Sequence, residues 1–245
     1  MTEKLSAEEF ERKKAYFDQN VADIRPRIAA AAARSGRTAQ DIHFLAATKT
    51  VHPDVINYAI SKGITYIGEN RVQELLGKYD ALHLDGVARH FIGHLQTNKV
   101  KMIIDKVDMI ESVHSMKLAQ TIGRLAVENN RVMDILLEVN IGSEESKSGF
   151  APNEVEDAIR QIAQIDGVSV KGLMAIPPIC ARKSDAEKYF SQMQKLFIDI
   201  RDKNIDNSSM LYLSMGMSED FDLAIEHGAN IVRIGTALFG ARVYR

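Results

Sequence analysis

A lysine that closes an apolar run is the first residue in this chain able to do covalent chemistry. Lys49 ends the segment His43-Phe44-Leu45-Ala46-Ala47-Thr48-Lys49, just ahead of a helical stretch. A lysine at the mouth of a strand is open to partial desolvation, which favours its neutral amine. That amine can form a Schiff base with an aldehyde. Most strand-end lysines are solvated surface charges, so Lys49 gains meaning only if the chain supplies a second anchor for the same ligand.

Two later turns have the composition of a phosphate anchor. One is Leu213-Ser214-Met215-Gly216-Met217-Ser218, followed by Glu219-Asp220. The other is Val232-Arg233-Ile234-Gly235-Thr236-Ala237-Leu238-Phe239-Gly240. Each sets a glycine and a hydroxyl residue where an apolar run gives way to a helix. Glycine lets the backbone approach an anion, exposed N–H groups hold its charge, and Ser or Thr adds a donor. Arg233 adds a fixed cation that could face inward; its plain alternative is a structural ion pair. Asn70, in Gly68-Glu69-Asn70-Arg71, would begin a helix, as a cap or as a ligand contact. His94 either lines the same region or is a partly buried histidine satisfied by backbone. The polar stretch Glu144-Glu145-Ser146-Lys147-Ser148-Gly149-Phe150 reads as a covering loop or a connector.

Other chemistry is not signalled. P-loop, dinucleotide-binding and His-Glu-x-x-His motifs are lacking, and the seven histidines do not cluster with acids at metal-ligand spacing. No metal site and no catalytic residue is assigned. The lone Cys180 excludes an intramolecular disulfide and suits a reducing compartment. It reads as an inert side chain, not a nucleophile. Lys99, Lys101 and Lys106 read as a solvated helix face.

The elements that must position these residues alternate along the chain. Apolar runs lie at Ile42–Thr48, Tyr66–Gly68, His90–Gly93, Met109–Val113, Ile135–Asn140, Val168–Ile176, Met210–Ser214 and Ile231–Gly235. Helical spacing fills Pro53–Lys62, Asn70–Tyr79, Ser115–Asn129, Asn153–Gln164, Ser184–Asp202 and Glu219–His227, as in Leu118, Ile122, Leu125 and Ala126. Pro53 and Pro152 suit helix starts, and Gly63, Gly167 and Gly228 suit helix ends. Alternation of this kind predicts a parallel α/β architecture, a single (β/α)8 TIM-type barrel. The rival doubly wound sheet usually opens on a Gly-rich turn, which Ala46–Thr50 lacks. Residues Ala7–Ser35 predict one or two helices, so residues 1–36 form an N-terminal helical extension on a single domain spanning 1–245. In a parallel barrel, sites form at the C-terminal strand ends, and phosphate often sits on the loops after strands seven and eight. Lys49 and the two glycine turns are then expected to face across one mouth.

Composition bounds the partners. The 245 residues carry 31 basic and 33 acidic side chains, for a formal net charge of -2. That balance offers no electrostatic reason for a nucleic-acid or anionic-membrane partner. No stretch nears the ~18–20 apolar residues of a membrane span, and Met1–Arg12 has no signal-peptide core. The expectation is a cytoplasmic monomer with a small-molecule ligand. An aldehyde at one end and a phosphate at the other describes pyridoxal 5'-phosphate (PLP). A cofactor-free Schiff-base aldolase acting on a sugar phosphate remains open.

The motifs named above, with His90-Phe91-Ile92-Gly93-His94-Leu95-Gln96-Thr97-Asn98-Lys99, Ser146-Lys147-Ser148-Gly149 and Gly172-Leu173-Met174-Ala175-Ile176-Pro177, resemble the pyridoxal-phosphate homeostasis proteins along nearly the whole chain. The resemblance implies a barrel like the N-terminal domain of alanine racemase, with PLP held on Lys49 as a Schiff base. It places Asn70 near the ring and Ser214, Gly216, Met217, Ser218, Gly235 and Thr236 around the phosphate. Arg233 falls near the pyridine nitrogen, where a cation disfavours ring protonation. The implied role is control of free PLP, with apo-PLP enzymes as possible recipients and no established turnover. The alternative is an amino-acid racemase. Racemization needs a base on each face of the α-carbon. The racemases take the second from a partner's additional domain, and no such domain is expected in a chain ending at Val243-Tyr244-Arg245.

Overall fold

Eight parallel strands close on themselves in the order β1-β2-β3-β4-β5-β6-β7-β8. The computed structural model describes residues 5–144, 147–178 and 183–241. The strands are β1 (His43–Ala47), β2 (Tyr66–Glu69), β3 (Ala88–Phe91), β4 (Met109–Val113), β5 (Met133–Val139), β6 (Val168–Ala175), β7 (Ser208–Ser214) and β8 (Ile231–Ile234). The helices are α1 (Ala7–Arg34), α2 (Pro53–Ser61), α3 (Val72–Lys78), α4 (Met116–Glu128), α5 (Val155–Ile162), α6 (Lys183–Arg201), α7 (Phe221–Glu226) and α8 (Thr236–Phe239). The expected TIM-type barrel is therefore the observed fold.

The local chemistry explains the boundaries. His52 caps α2 by accepting from the Asp54 N–H, with Pro53 opening the helix. Ser115 caps α4 through its side chain and the Leu118 N–H. The glycines expected after helices, Gly63, Gly167 and Gly228, all have positive φ. Pro152 opens a turn rather than a helix, and α5 starts only at Val155. β3 begins earlier than its apolar run suggests. Arg89 continues the strand and is paired with Asp108 at 2.6 Å, so a charged residue sits in the ladder. Lys99 and Lys101 lie on a 3-10 turn, Thr97–Met102, not on an α-helical face. Cys180, Glu145, Ser146 and Val243-Tyr244-Arg245 lie outside the described residues.

Two cores hold the barrel. Strand residues that point outward pack with the helices, including Ala46, Ile67, Phe91, Ile110, Ile135 and Val232. Leu45, Ala47, Ile92, Met109, Leu136, Met174 and Ile231 fill the interior. The alternation along each strand is what a barrel packed on both faces requires.

The N-terminal segment is one helix, α1, rather than two. It buries Phe17, Ile24, Ile28, Ala31 and Ala32. Its stripe packs behind the last strand–helix units. Phe17 stacks on Phe239 at 5.9 Å. Asn20 donates to the Leu238 carbonyl at 3.1 Å. Arg37, just past the helix, donates to the carbonyls of Gly228 and Ala229. The helix thus braces the backbone beneath the Gly235 turn.

Candidate functional site

Barrel closure pairs β1 with β8, with Ala46 opposite Ile234 and Leu45 opposite Arg233. Lys49 therefore stands beside the Gly235 turn, not across the mouth from it as the strand numbering suggested. The two are close: a Cβ built on Gly235 would lie 3.6 Å from Lys49 Nζ and 3.2 Å from the Ala47 carbonyl oxygen. Glycine at 235 leaves the space between the amine and the turn unfilled by a side chain. Lys49 itself is half-buried, two residues past the end of β1, with φ of +37°.

The turns after β7 and β8 are tied together. Ser218 Oγ accepts from the Gly235 N–H at 3.3 Å and from the Ala237 N–H at 3.1 Å. Arg233 donates its backbone N–H to the Gly216 carbonyl at 3.0 Å. The Met217 N–H is held by Asp220 Oδ1 at 2.7 Å. Gly216 has φ of +89°, and a Cβ there would come 2.4 Å from the Ala224 Cβ. Only glycine takes that backbone without strain. Thr236 is exposed at the first position of α8. The result is a short run of main chain bordered by Ser218, Gly235 and Thr236, with Lys49 at one edge and the Gly235 and Ala237 N–H groups gathered on Ser218.

Asn70 does not cap α3. The N-cap is Arg71, without a side-chain bond, and the helix starts at Val72. Asn70 sits in a bend where the β3 turn presses on it: a Cβ on Gly93 would fall 2.1 Å from the Asn70 carbonyl oxygen. Its side-chain Oδ1 is buried and has no hydrogen-bond partner among the described residues. Such an atom is costly to leave unpaired. It fits a ligand group at the mouth.

Arg233 and Ser214 lie deeper. Arg233 is 4% exposed; Nη1 donates to Ser214 Oγ at 2.5 Å and Nη2 to the Ala175 carbonyl at 2.9 Å. Ser214 Oγ donates to Glu111 Oε2 at 2.5 Å. Glu111 also holds His90 Nδ1 at 2.6 Å. The Ser214 hydroxyl is thus committed to an interior network beneath the turns after β7 and β8 and is not free to meet a ligand there. Burial alone would push the Glu111 carboxyl up. The bond from His90 and the charges of His90 and Arg233 more than offset this and hold it low. Burial lowers the Arg233 guanidinium, opposed by Glu111, Asp220 and Glu138.

Functional groups that motif reading passed over surround these. Glu69 and Lys78 form a buried ion pair of 2.6 Å beneath Lys49. Glu138, near the end of β5, has a buried Oε2 without a partner among the described residues, and desolvation pushes its carboxyl up to about 7. The signal for each was an acid inside or at the end of an apolar strand run. In a parallel barrel such a residue faces either helices or the interior. His94 is exposed, stacked on His114 at 4.4 Å, and bonded to Ser148 at 3.0 Å, so it lines the mouth. The loop after β5 is pinned at Phe150, whose N–H donates to the Glu138 carbonyl at 2.8 Å. Among the described residues, no cluster of three potential metal ligands occurs.

A lysine amine set against a glycine turn at the mouth of a parallel barrel defines the class. Residues 20–243 match the family described as "Alanine racemase, N-terminal domain". A pyridoxal phosphate homeostasis protein of Aquifex aeolicus is 43% identical, covering 92% of this chain and 98% of its own length. A solved protein of unknown role from Bifidobacterium adolescentis superposes with a TM-score of 0.89 at 35% identity, covering 97% of this chain and 98% of that one. PipY of Synechococcus elongatus PCC7942, solved with PLP bound, gives 0.76 at 30% identity over 87% of this chain and all of its own. The chain belongs to the pyridoxal phosphate homeostasis protein family.

Proposed function

We propose that this chain binds PLP at the barrel mouth, holds it by a Schiff base on Lys49, and serves in intracellular control of the free cofactor. The observation that carries the reading is Lys49 Nζ standing against Gly235, so that one small ligand reaches both the amine and the turn. PLP supplies an aldehyde for the amine, a phosphate for the turn and a ring that can accept electrons. Ser218, Gly235 and Thr236 would hold the phosphate, with Gly216 and Met217 shaping the turn beside it. Asn70 Oδ1 would gain a partner. Arg233, a buried cation, would face the pyridine nitrogen and disfavour its protonation, which weakens the ring as an electron sink. Ser214 acts one layer down, by fixing Arg233.

The resident role is thus holding rather than turnover, in keeping with how the relatives are named. A cytoplasmic monomer of one domain, passing PLP to apoenzymes, completes the proposal. Among the described residues no helix is long and apolar enough to cross a membrane. Protein purified without added cofactor, then titrated with PLP, should develop visible absorbance that Lys49→Ala lacks. A wild type that stays colourless at saturating PLP removes the reading.

One observation favours a second reading, slow amino-acid chemistry. Glu138 is a buried carboxyl near the mouth, pushed to about 7, where a proton acceptor works best. Solvent-deuterium incorporation at the α-carbon across an amino-acid panel separates the two. Exchange at enzyme-like rates, lost in Glu138→Gln, would replace the holding role.

A further inference from the structure

Lys49 has an unusual backbone. The other described non-glycine residues with positive φ are Asn130, Ser143, Asn204 and Asn207, short polar side chains that tolerate it through local hydrogen bonds. Lysine has no such side chain. A left-handed lysine persists only where its surroundings over-determine it.

The surroundings here are a buried polar clamp. Lys78, the last residue of α3, turns its amino group inward and donates to the Lys49 carbonyl. The same amino group pairs with Glu69 at 2.6 Å, and both side chains are almost fully buried. Glu69 Oε1 also accepts from the hydroxyl of Thr48, the residue before Lys49. Thr48 is fully buried and donates its own N–H to the Gly68 carbonyl at 3.0 Å. One buried cluster therefore fastens the Lys49 carbonyl to α3 and the Thr48 side chain to β2, and the Thr48 N–H adds a second tie to β2. A buried ion pair on its own is weak support for stability. This one spends a hydrogen bond on the carbonyl of the residue carrying the amine.

We propose that Lys78, Glu69 and Thr48 are positioning residues, which hold Lys49 in its left-handed turn so that Nζ meets the aldehyde carbon of a ligand whose phosphate lies on the Gly235 turn. The inference rests on the PLP-binding reading and deepens it. The clamp acts on the covalent step alone: it orients the amine and leaves the phosphate turn, on β7 and β8, untouched.

The test compares two ligands in the full-length protein. PLP can bond to Lys49; pyridoxine 5'-phosphate has the same phosphate and ring but no aldehyde. The variant is Lys78→Met with Glu69→Gln, which removes the clamp without leaving an unpaired buried charge. PLP affinity should fall ~10-fold or more, as expected for loss of a charge-assisted hydrogen bond, and the borohydride-reduced adduct at Lys49 should fall with it. Pyridoxine 5'-phosphate affinity should stay at the wild-type value. Equal loss for both ligands means a merely structural cluster and overturns the proposal, as does an unchanged PLP affinity. If the paired variant fails to fold, Thr48→Val decides: a selective, smaller loss for PLP supports the clamp, and no selectivity overturns it. A wild type that forms no adduct with PLP sinks the binding reading itself, and is recognised as such because no variant is needed to see it.

Discussion

Replacing Glu111 with alanine should cost this barrel a large share of its stability. Glu111 is fully buried, and its two oxygens hold His90 at 2.6 Å and Ser214 at 2.5 Å, with Arg233 Nη1 3.9 Å away. Removing it leaves the Arg233 guanidinium buried with its nearest counter-charge gone. Breaking a buried pair from one side costs ~3–5 kcal/mol. For a chain of this size ~1 kcal/mol moves Tm by roughly 2–4 °C, so Tm should fall by about 6–20 °C. Glu111→Gln keeps the volume and one acceptor, and should cost less, ~1.5–3 kcal/mol. Urea unfolding of the cofactor-free protein followed by circular dichroism measures both. The effect has a defined pH sign. The Glu111 carboxyl is held below its ordinary value in the fold. Its stabilisation is present above the unfolded carboxylate pKa and is lost as pH falls through the lower folded value. The gap between wild type and Glu111→Gln should therefore close on acidification. A Glu111→Ala loss below ~1 kcal/mol, the scale of an exposed pair, would refute the reasoning.

Other consequences can be measured on the same protein. Glu138 has a folded pKa raised to about 7, so its burial destabilises the fold increasingly as pH rises from the unfolded carboxylate range to about 7, and fully above it. Glu138→Gln should stabilise by ~1–3 kcal/mol at pH 8 and little at pH 5; an equal effect at both pH values would show that the carboxyl is not desolvated. Gly235→Ala puts a methyl 3.6 Å from Lys49 Nζ and against Ala47. It should weaken PLP binding by ~1–3 kcal/mol with the barrel still folded, measured by spectrophotometric titration. Thr236→Val should lower PLP retention by ~1 kcal/mol, and unchanged retention would move the phosphate elsewhere.

Local physics made the barrel legible. Most strands are short apolar runs, and Pro53, Ser115 and Gly63 mark ends that follow from a few neighbouring residues. Boundaries that depend on distant partners are not written in the local sequence. β3 starts at Ala88, where Arg89 meets Asp108, 19 residues on and just before β4. Asn70 is free of the cap role because the Gly93 backbone presses on it. The site divides in the same way. Lys49, Gly216, Gly235 and Thr236 announce themselves through residue type at strand ends. Lys78 on α3 and Glu69 at the end of β2 meet beneath Lys49 only once the barrel closes, and the same holds for Glu111 and Arg233 on β4 and β8. The neighbour relation of Lys49 to the Gly235 turn is itself a closure effect, since β1 and β8 lie far apart in sequence.

The measurement that bears most directly on the account is peptide mapping of the wild-type protein after incubation with PLP and borohydride reduction. The account predicts one dominant phosphopyridoxyl adduct, on the peptide carrying Lys49, and its loss in Lys49→Ala. An adduct on another lysine with Lys49 unmodified, or no adduct at saturating PLP, would contradict it.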